Sequence, residues 1–245
     1  MAKTCILIPA RYASSRFAAK PLAMIAGKPM IQHVWEQCQK SKRADQIFVL
    51  TDHEDIEETV ESFGGRSIMT SPMHPTGTDR ILEAIEHIDA DYFINVQGDE
   101  PLIDPHLIDQ LIQRLATNKV AIVTACNSIN HIEDLLSYHV VKVVRGQQDR
   151  ALYFSRQAIP AFRDLPYKEW LDNGAYFKHL GIYGFTKNAL KLIKKLPKGK
   201  LEMAESLEQL RWLEAGMNID CLYTEYQSIG VDLPEDIRKV ENLMG

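Results

Sequence analysis

The sequence has few cysteines, and they form no recognisable motif. Cys5, Cys38, Cys126 and Cys221 are widely spaced, with no CxxC pair among them. Structural zinc sites use closely spaced pairs of cysteines, and secreted disulfide frameworks concentrate many cysteines in a short chain. We therefore expect reduced, mostly buried thiols and a cytoplasmic location.

Long apolar runs and an excess of basic residues are also missing. The start, MAKTCILIPARY, is apolar over only a few residues before Pro9 and Arg11, unlike a signal peptide. No later run approaches the length of a membrane span. The 28 basic and 33 acidic residues give a formal net charge of −5. We expect neither a nucleic-acid partner nor a membrane partner.

The glycine signatures of two common nucleotide-binding folds are absent. There is no G-x-G-x-x-G after the first strand and no G-x-x-x-x-G-K-[ST], which weighs against a dehydrogenase and a P-loop kinase. Instead, Arg11, Arg16 and Lys20 lie in PARYASSRFAAKPL (9–22), just after the first strand-like run. Such cations suit phosphate oxygens, and a solvated basic loop is the alternative interpretation.

Short apolar runs alternate with amphipathic patterns through the first half of the chain. Strand-like runs cover 4–8, 46–50, 92–96 and 120–125, and helical patterns cover 29–40, 54–63, 78–88 and 105–116. Continuous apolar strands between amphipathic helices predict an α/β fold with a doubly wound, mostly parallel sheet.

The second half of the chain is richer in strands. Runs at 139–145, 151–155 and 178–185 surround an aromatic, aperiodic stretch at 161–177 that is typical of a loop over a site. A helix over 203–216, a strand over 219–226 and a helix over 234–244 complete the pattern. Because no linker interrupts the chain, we predict one domain over 1–245 with a β-rich lid or dimerisation part at about 139–186.

Two acidic residues follow strand-like runs at distant points of the chain. Asp99 lies in QGDEP (97–101) after the strand at 92–96, and Asp232 lies in IGVDLPED (229–236) after the strand at 219–226. Either could cap a turn, and two carboxylates meeting at one point could bind magnesium.

Weaker signals come from three other stretches. In HPTGTDR (74–80), Thr76 or Thr78 could cap a helix, or the helix start could contact a base or a phosphate. In KHLGIYGF (178–185), His179 and Tyr183 would share one face of a strand, as a core pair or as ligands. Glu208 and Gln209 lie in a helical pattern, where a solvated face is the alternative.

The order of these motifs resembles one family over essentially the whole chain. The motifs are IPARYASSRF, KPL, GKPMIQHV, TDHEDI, GTDR, NVQGDEPLI, VKVV, ALYFSR, KHLGIYGF, LEQLR and GVDLPEDI. They are similar to those of 3-deoxy-manno-octulosonate (Kdo) cytidylyltransferases. The resemblance implies a nucleotide-diphospho-sugar transferase-like α/β fold that forms a homodimer through a small β-rich part.

The resemblance also implies a reaction and a set of site residues. The reaction is CTP plus Kdo giving CMP-Kdo and diphosphate, with Mg²⁺, for lipopolysaccharide biosynthesis. The implied catalytic residues are Arg11, Lys20, Asp99 and Asp232, with Asp99 and Asp232 as the metal ligands. The implied nucleotide contacts are Arg11, Arg16, Lys20, Gly77, Thr78 and Arg80. The implied sugar contacts are Gln97, Arg156, His179, Tyr183, Glu208 and Gln209.

One position departs from the family pattern, and two other functions stay open. The family has Pro-Gly before the lysine of its first loop, where this chain has Ala18 and Ala19. If the glycine adopts a positive φ, Ala19 is strained or the loop takes another path.

The alternative functions are activation of 8-amino-Kdo or another 2-keto acid sugar, and a non-catalytic nucleotide-binding protein on the same fold.

Overall fold

The structure is a computed structural model that describes residues 2–13, 17–117 and 119–244. The strands of this part are β1 (Thr4–Ala10), β2 (Met24–Ile25), β3 (Lys28–Pro29), β4 (Gln46–Thr51), β5 (Ser67–Met69), β6 (Tyr92–Asn95), β7 (Ile122–Ser128), β8 (Lys142–Arg145), β9 (Ala151–Ser155), β10 (Phe177–Thr186) and β11 (Ile219–Tyr223). The helices are α1 (Met30–Cys38), α2 (Glu54–Ser62), α3 (Gly77–Ala84), α4 (Pro105–Leu115), α5 (Ile132–Leu136), α6 (Trp170–Asn173), α7 (Lys187–Ile193), α8 (Lys200–Glu205), α9 (Gln209–Glu214) and α10 (Asp236–Met244). Short 3₁₀ turns cover Lys20–Leu22, Gln147–Asp149 and Tyr167–Glu169.

The central sheet is mostly parallel, with the spatial order β11-β7-β10-β6-β1-β4-β5. Strand β1 is parallel to β4 and β6, β4 is parallel to β5, and β7 is parallel to β11. Strand β10 lies antiparallel between β6 and β7. The predicted doubly wound, mostly parallel sheet is confirmed, with one strand of the β-rich part inserted into it.

The alternation of side chains along β1 divides the core into two layers. Cys5 and Leu7 belong to one cluster of buried residues, which also contains apolar residues of α3, α7 and α9. Ile6 and Ile8 belong to the other cluster, with apolar residues of α1, α2 and α4. Because successive side chains of a strand point to opposite faces, helices cover both faces of the sheet.

The β-rich part joins the central sheet through its last strand. Strands β8 and β9 form an antiparallel hairpin, and β8 also pairs with the beginning of β10 at Phe177 and Lys178. The stretch at 161–177 contains a 3₁₀ turn and α6, and its Trp170 packs with Ile129, Leu135 and Tyr176. This stretch therefore shares a small apolar core with α5 and with the residue that follows β7.

The single helix predicted over 203–216 is wrong. The chain forms two helices, α8 and α9, because Ser206 adopts a left-handed conformation with φ 52°. A break of this kind ends the hydrogen-bond ladder and redirects the chain. Gly216 follows α9 with φ 78°, as expected of a residue that terminates a helix.

The state of the thiols agrees with a further expectation. All four cysteines are free and buried. Among the described residues, none of the helices combines the length and the apolar character that crossing a bilayer requires.

Candidate functional site

A cleft of about 330 Å³ opens where β1 and β6 end. It is lined by the first loop (9–11 and 20–21), the approach to α3 and its first turn (74–77 and Arg80), the QGD segment (97–99) and Asp232. Parallel strands end at the same edge of a sheet, so segments distant in sequence meet there. Arg11, Lys20, Gly77, Arg80, Gln97, Asp99 and Asp232 of the predicted site all line this cleft.

Gly98 allows the QGD segment to lie against the end of β1. A Cβ atom at this position would be 2.7 Å from the carbonyl oxygen of Pro9, closer than real contacts allow. A larger residue would therefore push Asp99 away from the first loop.

Lys20 joins the two acidic residues. Its Nζ lies 2.5 Å from Asp99 Oδ2 and 3.8 Å from Asp232 Oδ1, and it donates to the carbonyl oxygen of Val231 at 2.9 Å. The amide of Val231 donates to the carbonyl oxygen of Asp99 at 2.9 Å, which fastens the two loops together. The two carboxylates thus converge on one point of the cleft.

Arg80 forms part of the cleft wall and has buried partners. Its side chain is 3% exposed and donates to Asp52 Oδ2 at 2.8 Å and to the hydroxyl of Thr70. Asp52 directly follows β4 and accepts the amide of Tyr12 at 3.0 Å through its other oxygen. Motif reasoning missed Asp52, although an acid just after a strand was the same signal that drew attention to Asp99.

The start of α3 connects the cleft with α9. Thr76 is the N-cap and accepts the amide of Asp79 at 3.1 Å, so the capping interpretation holds for this threonine. Thr78 is buried and donates its hydroxyl to Glu208 Oε2 at 2.6 Å. Glu208 immediately precedes α9, and the break at Ser206 precedes it by two residues.

Tyr183 and three residues near it each carry a buried polar atom, and we call Asn95, Tyr183, Glu208 and Trp212 the buried polar cluster. Within the described part of the chain, Asn95 Oδ1, the Tyr183 hydroxyl, Glu208 Oε1 and Trp212 Nε1 have no hydrogen-bond partner. Tyr183 is paired with Asn95 across the sheet, and its ring centroid is 5.2 Å from that of Trp212. Burial raises the pKa of the Glu208 carboxyl, and burial followed by the charge of Glu208 raises the pKa of Tyr183 well above its usual value.

His179 lies beside this cluster, and the prediction that it shares a face with Tyr183 agrees with ring centroids 5.3 Å apart. Its Nε2 is 3.0 Å from the hydroxyl oxygen of Thr124. Because that hydroxyl donates its single proton to a carbonyl, at 2.7 Å for Ile182, we assign the proton at Nε2 to His179. Burial lowers the pKa of His179 to about 3, so the imidazole is neutral near pH 7.

The remaining predicted sugar contacts lie in different surroundings. Gln97 lines the cleft and donates to the carbonyl oxygen of Gly181 at 3.0 Å. Arg156 donates to the carbonyl oxygens of Glu205, Tyr138 and Ser206 at 2.8, 2.9 and 3.4 Å. Gln209 is buried at the start of α9, so the solvated-face interpretation is wrong for this residue.

The first loop shows the effect of the departure from the family pattern. Ala19 has φ 51° and ψ 31°, the left-handed region that favours glycine. Its amide donates to the carbonyl oxygen of Tyr12 at 3.0 Å, which closes the loop immediately before Lys20. The expected strain is therefore present at Ala19. Arg16, a predicted phosphate contact, lies outside the described residues.

The comparison with protein families gives a match over most of the chain. The model of the cytidylyltransferase family matches residues 5–219. A 3-deoxy-manno-octulosonate cytidylyltransferase of Thermodesulfovibrio yellowstonii is 46% identical over 249 aligned positions, which cover 98% of this chain and 98% of the relative. One from Geotalea uraniireducens is 46% identical over 248 positions, which cover 97% of each chain.

The comparison with solved structures agrees over the full length. The structure of CMP:2-keto-3-deoxy-manno-octonic acid synthetase complexed with CTP has a TM-score of 0.94 and 40% identity, covering 99% of this chain and 98% of that one. A glucose-1-phosphate thymidylyltransferase structure from Bacillus anthracis shares the fold, with a TM-score of 0.69 and 14% identity over 98% of this chain and 94% of that one.

Proposed function

The chain belongs to the cytidylyltransferase family, and we propose that it activates Kdo with CTP to give CMP-Kdo and diphosphate for lipopolysaccharide biosynthesis. The observation that carries this proposal is 46% identity, over nearly the whole length of both chains, with enzymes named for that reaction. The predicted family resemblance is confirmed by the same comparisons.

The cleft supports nucleotide binding through its cations. Arg11 and Lys20 line the cleft at the end of the first strand. The planar guanidinium of Arg11 and the compact ammonium of Lys20 would hold a triphosphate there. In the proposed reaction the anomeric hydroxyl of Kdo attacks the α-phosphorus of CTP, and diphosphate leaves. Positioning and charge neutralisation supply most of the catalysis in such transfers, and these are what a rigid, charged cleft provides.

The donor set of the cleft fits a magnesium ion. Asp99 and Asp232 contribute hard carboxylate oxygens that lie 2.5 and 3.8 Å from the Lys20 ammonium. Magnesium is commonly bound by one or two carboxylates together with substrate phosphates, so two acids are sufficient. Within 2–13, 17–117 and 119–244, no group of three or more candidate ligands is present, in keeping with a site completed by the nucleotide. When bound, the ion would neutralise phosphate charge.

The buried polar cluster supports a sugar site. Buried polar atoms without partners cost about 1–3 kcal/mol each, and a ligand that supplies hydroxyls would remove this cost. Glu208 also contacts Thr78, next to Gly77 of the cleft, so the cluster lies close to the nucleotide end. In this proposal Gln97, Arg156, His179, Tyr183, Glu208 and Gln209 surround Kdo, and Arg156 acts through the carbonyls that it fastens.

A homodimer and a cytoplasmic location complete the proposal. Strand β9 pairs with β8 on one side and carries the exposed side chain of Leu152, and exposed Leu136 and Tyr138 lie near the start of the hairpin. Exposed apolar side chains near a strand edge are suited to contact with a second copy. The four free thiols are compatible with a reducing compartment.

The proposed function is tested by diphosphate release in the presence of Mg²⁺, with CTP, ATP, GTP and UTP each combined with Kdo. We expect release with CTP and Kdo and little with the other nucleotides. A second series offers Kdo and 8-amino-Kdo in competition. A strong preference for the amino sugar would show that 8-amino-Kdo, and not Kdo, is the substrate. If no sugar leads to diphosphate release, the chain would be a nucleotide-binding protein without this activity.

A further inference from the structure

Asp52 links the two walls of the nucleotide cleft. Its Oδ1 accepts the amide of Tyr12 at 3.0 Å, and its Oδ2 accepts the Arg80 guanidinium at 2.8 Å. Tyr12 belongs to the first loop, whereas Arg80 belongs to α3. The Asp52 side chain is 10% exposed, so water competes little for either bond.

Tyr12 is one of the points at which the first loop is fixed. Its ring stacks on the His53 ring, with centroids 3.7 Å apart and planes inclined by 16°. Its carbonyl oxygen accepts the amide of Ala19 at 3.0 Å. The residue before Tyr12 is Arg11 and the residue after Ala19 is Lys20, so both cleft cations are placed by the attachments of Tyr12.

Arg80 fixes the opposite wall. It lies one turn after Thr76 and Gly77, which also line the cleft, and its guanidinium has the hydroxyl of Thr70 as a second buried partner. A carboxylate that bonds a backbone amide on one wall and a guanidinium on the other sets the distance between them. Charged hydrogen bonds of this type are stronger and more directional than neutral ones.

We propose that Asp52, supported by the ring of His53, is a positioning residue that fixes the spacing of the first loop and α3 for the nucleotide triphosphate. Asp52 places Arg11 and Lys20 through Tyr12, and it places the start of α3 through Arg80. Small displacements of positioned groups have large effects on binding and rate. The identity of the nucleotide as CTP rests on the proposed function.

The proposal is tested by calorimetric titration of the full-length chain with CTP, without sugar. Asp52→Asn keeps the size of the side chain and removes its charge, and His53→Asn keeps an N-cap acceptor for α2 while removing the ring that stacks on Tyr12. We expect Kd for CTP to rise about tenfold in Asp52→Asn and about threefold in His53→Asn, since the first variant loses a charged bond and the second a stacking contact.

Asp45→Asn is the matched control. Asp45 Oδ2 accepts the amide of Thr4 at 2.8 Å, at the opposite end of the β1–β4 pair, and it is remote from the cleft-lining residues. Its Kd for CTP should equal that of the wild type. Steady-state kinetics should show a raised KM for CTP and an unchanged KM for Kdo in Asp52→Asn, whereas loss of folded protein would lower kcat alone.

A wild-type Kd in a folded Asp52→Asn variant would overturn the proposal. If circular dichroism shows that Asp52→Asn is unfolded, His53→Asn decides, and a wild-type Kd in that variant overturns the proposal equally. Failure of the proposed function is a separate result, namely a wild-type chain that binds CTP and releases no diphosphate with Kdo.

Discussion

The cleft and the buried polar cluster differ in how fully their polar side chains are paired. In the cleft, Lys20 is paired with Asp99, and Arg80 is paired with Asp52. In the cluster, the hydroxyl of Tyr183 is buried without a hydrogen-bond partner among the described residues, and the same holds for Glu208 Oε1, which lies 3.9 Å from the Arg211 guanidinium. A paired region holds its shape before a ligand arrives, whereas an unpaired one gains hydrogen bonds from the ligand. We infer that the nucleotide end is preorganised and that the sugar end is completed by its substrate.

The largest effect is expected from removing either acid of the cleft. Asp99→Ala or Asp232→Ala should lower kcat for CMP-Kdo formation by at least about 100-fold, because each variant removes a carboxylate that would hold the magnesium ion against the reacting phosphate. Thermal unfolding should show that both variants stay folded.

Glu235→Gln is the control for this pair, since Glu235 is an exposed acid in the same loop as Asp232. Its activity should match the wild type. Near-normal turnover in either alanine variant would contradict the assignment of the two acids to catalysis.

Tyr183→Phe should separate stability from sugar binding. The variant removes a buried hydroxyl that has no hydrogen-bond partner among the described residues, so the free energy of unfolding should rise by about 1 kcal/mol. KM for Kdo should rise about tenfold, through the loss of a hydrogen bond to the sugar, while KM for CTP stays unchanged. Chemical denaturation and initial-rate kinetics measure the two effects.

Tyr226→Phe provides the comparison, because the Tyr226 hydroxyl is also buried without a partner in the described part of the chain. It should give a similar gain in stability with no change in either KM. An unaltered KM for Kdo in Tyr183→Phe would place the sugar elsewhere.

The neutral state of His179 should make stability depend on pH. The folded-state pKa is about 3 and the ordinary value is 6.5, so the unfolded chain binds more protons between these two pH values. The contribution of neutral His179 to the free energy of unfolding is fully present above pH 6.5. It is lost as the pH falls toward 3, by about 1 kcal/mol per pH unit.

Denaturation at pH 7 and pH 5 would measure this loss, and His179→Gln should reduce it. Glu100 acts in the opposite direction, because burial raises its pKa to about 7 and its protonation favours the fold as the pH falls. Glu100→Gln should therefore steepen the loss of stability in acid. An identical pH dependence in wild type and His179→Gln would contradict the burial of a neutral imidazole.

The smallest effect is expected at Ala19. Ala19→Gly removes the strain of an alanine in the left-handed conformation. The greater freedom of glycine in the unfolded chain offsets part of this gain, so the free energy of unfolding should rise by about 0.5 kcal/mol. Ala26→Gly, at φ 45° in the turn between β2 and β3, should give a similar gain in thermal denaturation. Only the Ala19 variant should alter KM for CTP, and a loss of stability at Ala19 would show that the loop holds alanine without strain.

Local sequence patterns were sufficient for most of the parallel sheet and its helices. Strand-like runs such as 46–50 became β4 almost unchanged, because a buried parallel strand is continuously apolar. The insertion of β10 between β6 and β7 was not predicted, since strand order depends on pairings between residues far apart in the chain. The break at Ser206 was missed because serine carries no strong signal for a positive φ.

Residues of the site were predictable from the sequence where an acidic residue follows a strand. Asp99 and Asp232 each carried that signal, and the structure brings both to Lys20. Asp52 carried it too, but its importance depends on Tyr12 and Arg80, which are 40 and 28 residues away. The buried polar cluster combines residues of β6, β10 and α9 with Glu208, and no local pattern in the sequence predicts their meeting.

Identification of the products by phosphorus NMR and mass spectrometry is the most direct test of the proposed function. The purified chain is incubated with CTP, Kdo and Mg²⁺, beside Asp99→Ala and Asp232→Ala. We expect equimolar CMP-Kdo and diphosphate with the wild type, dependent on both substrates, and neither product above background with the variants. Diphosphate without CMP-Kdo, or equal product formation by all three proteins, would contradict this expectation.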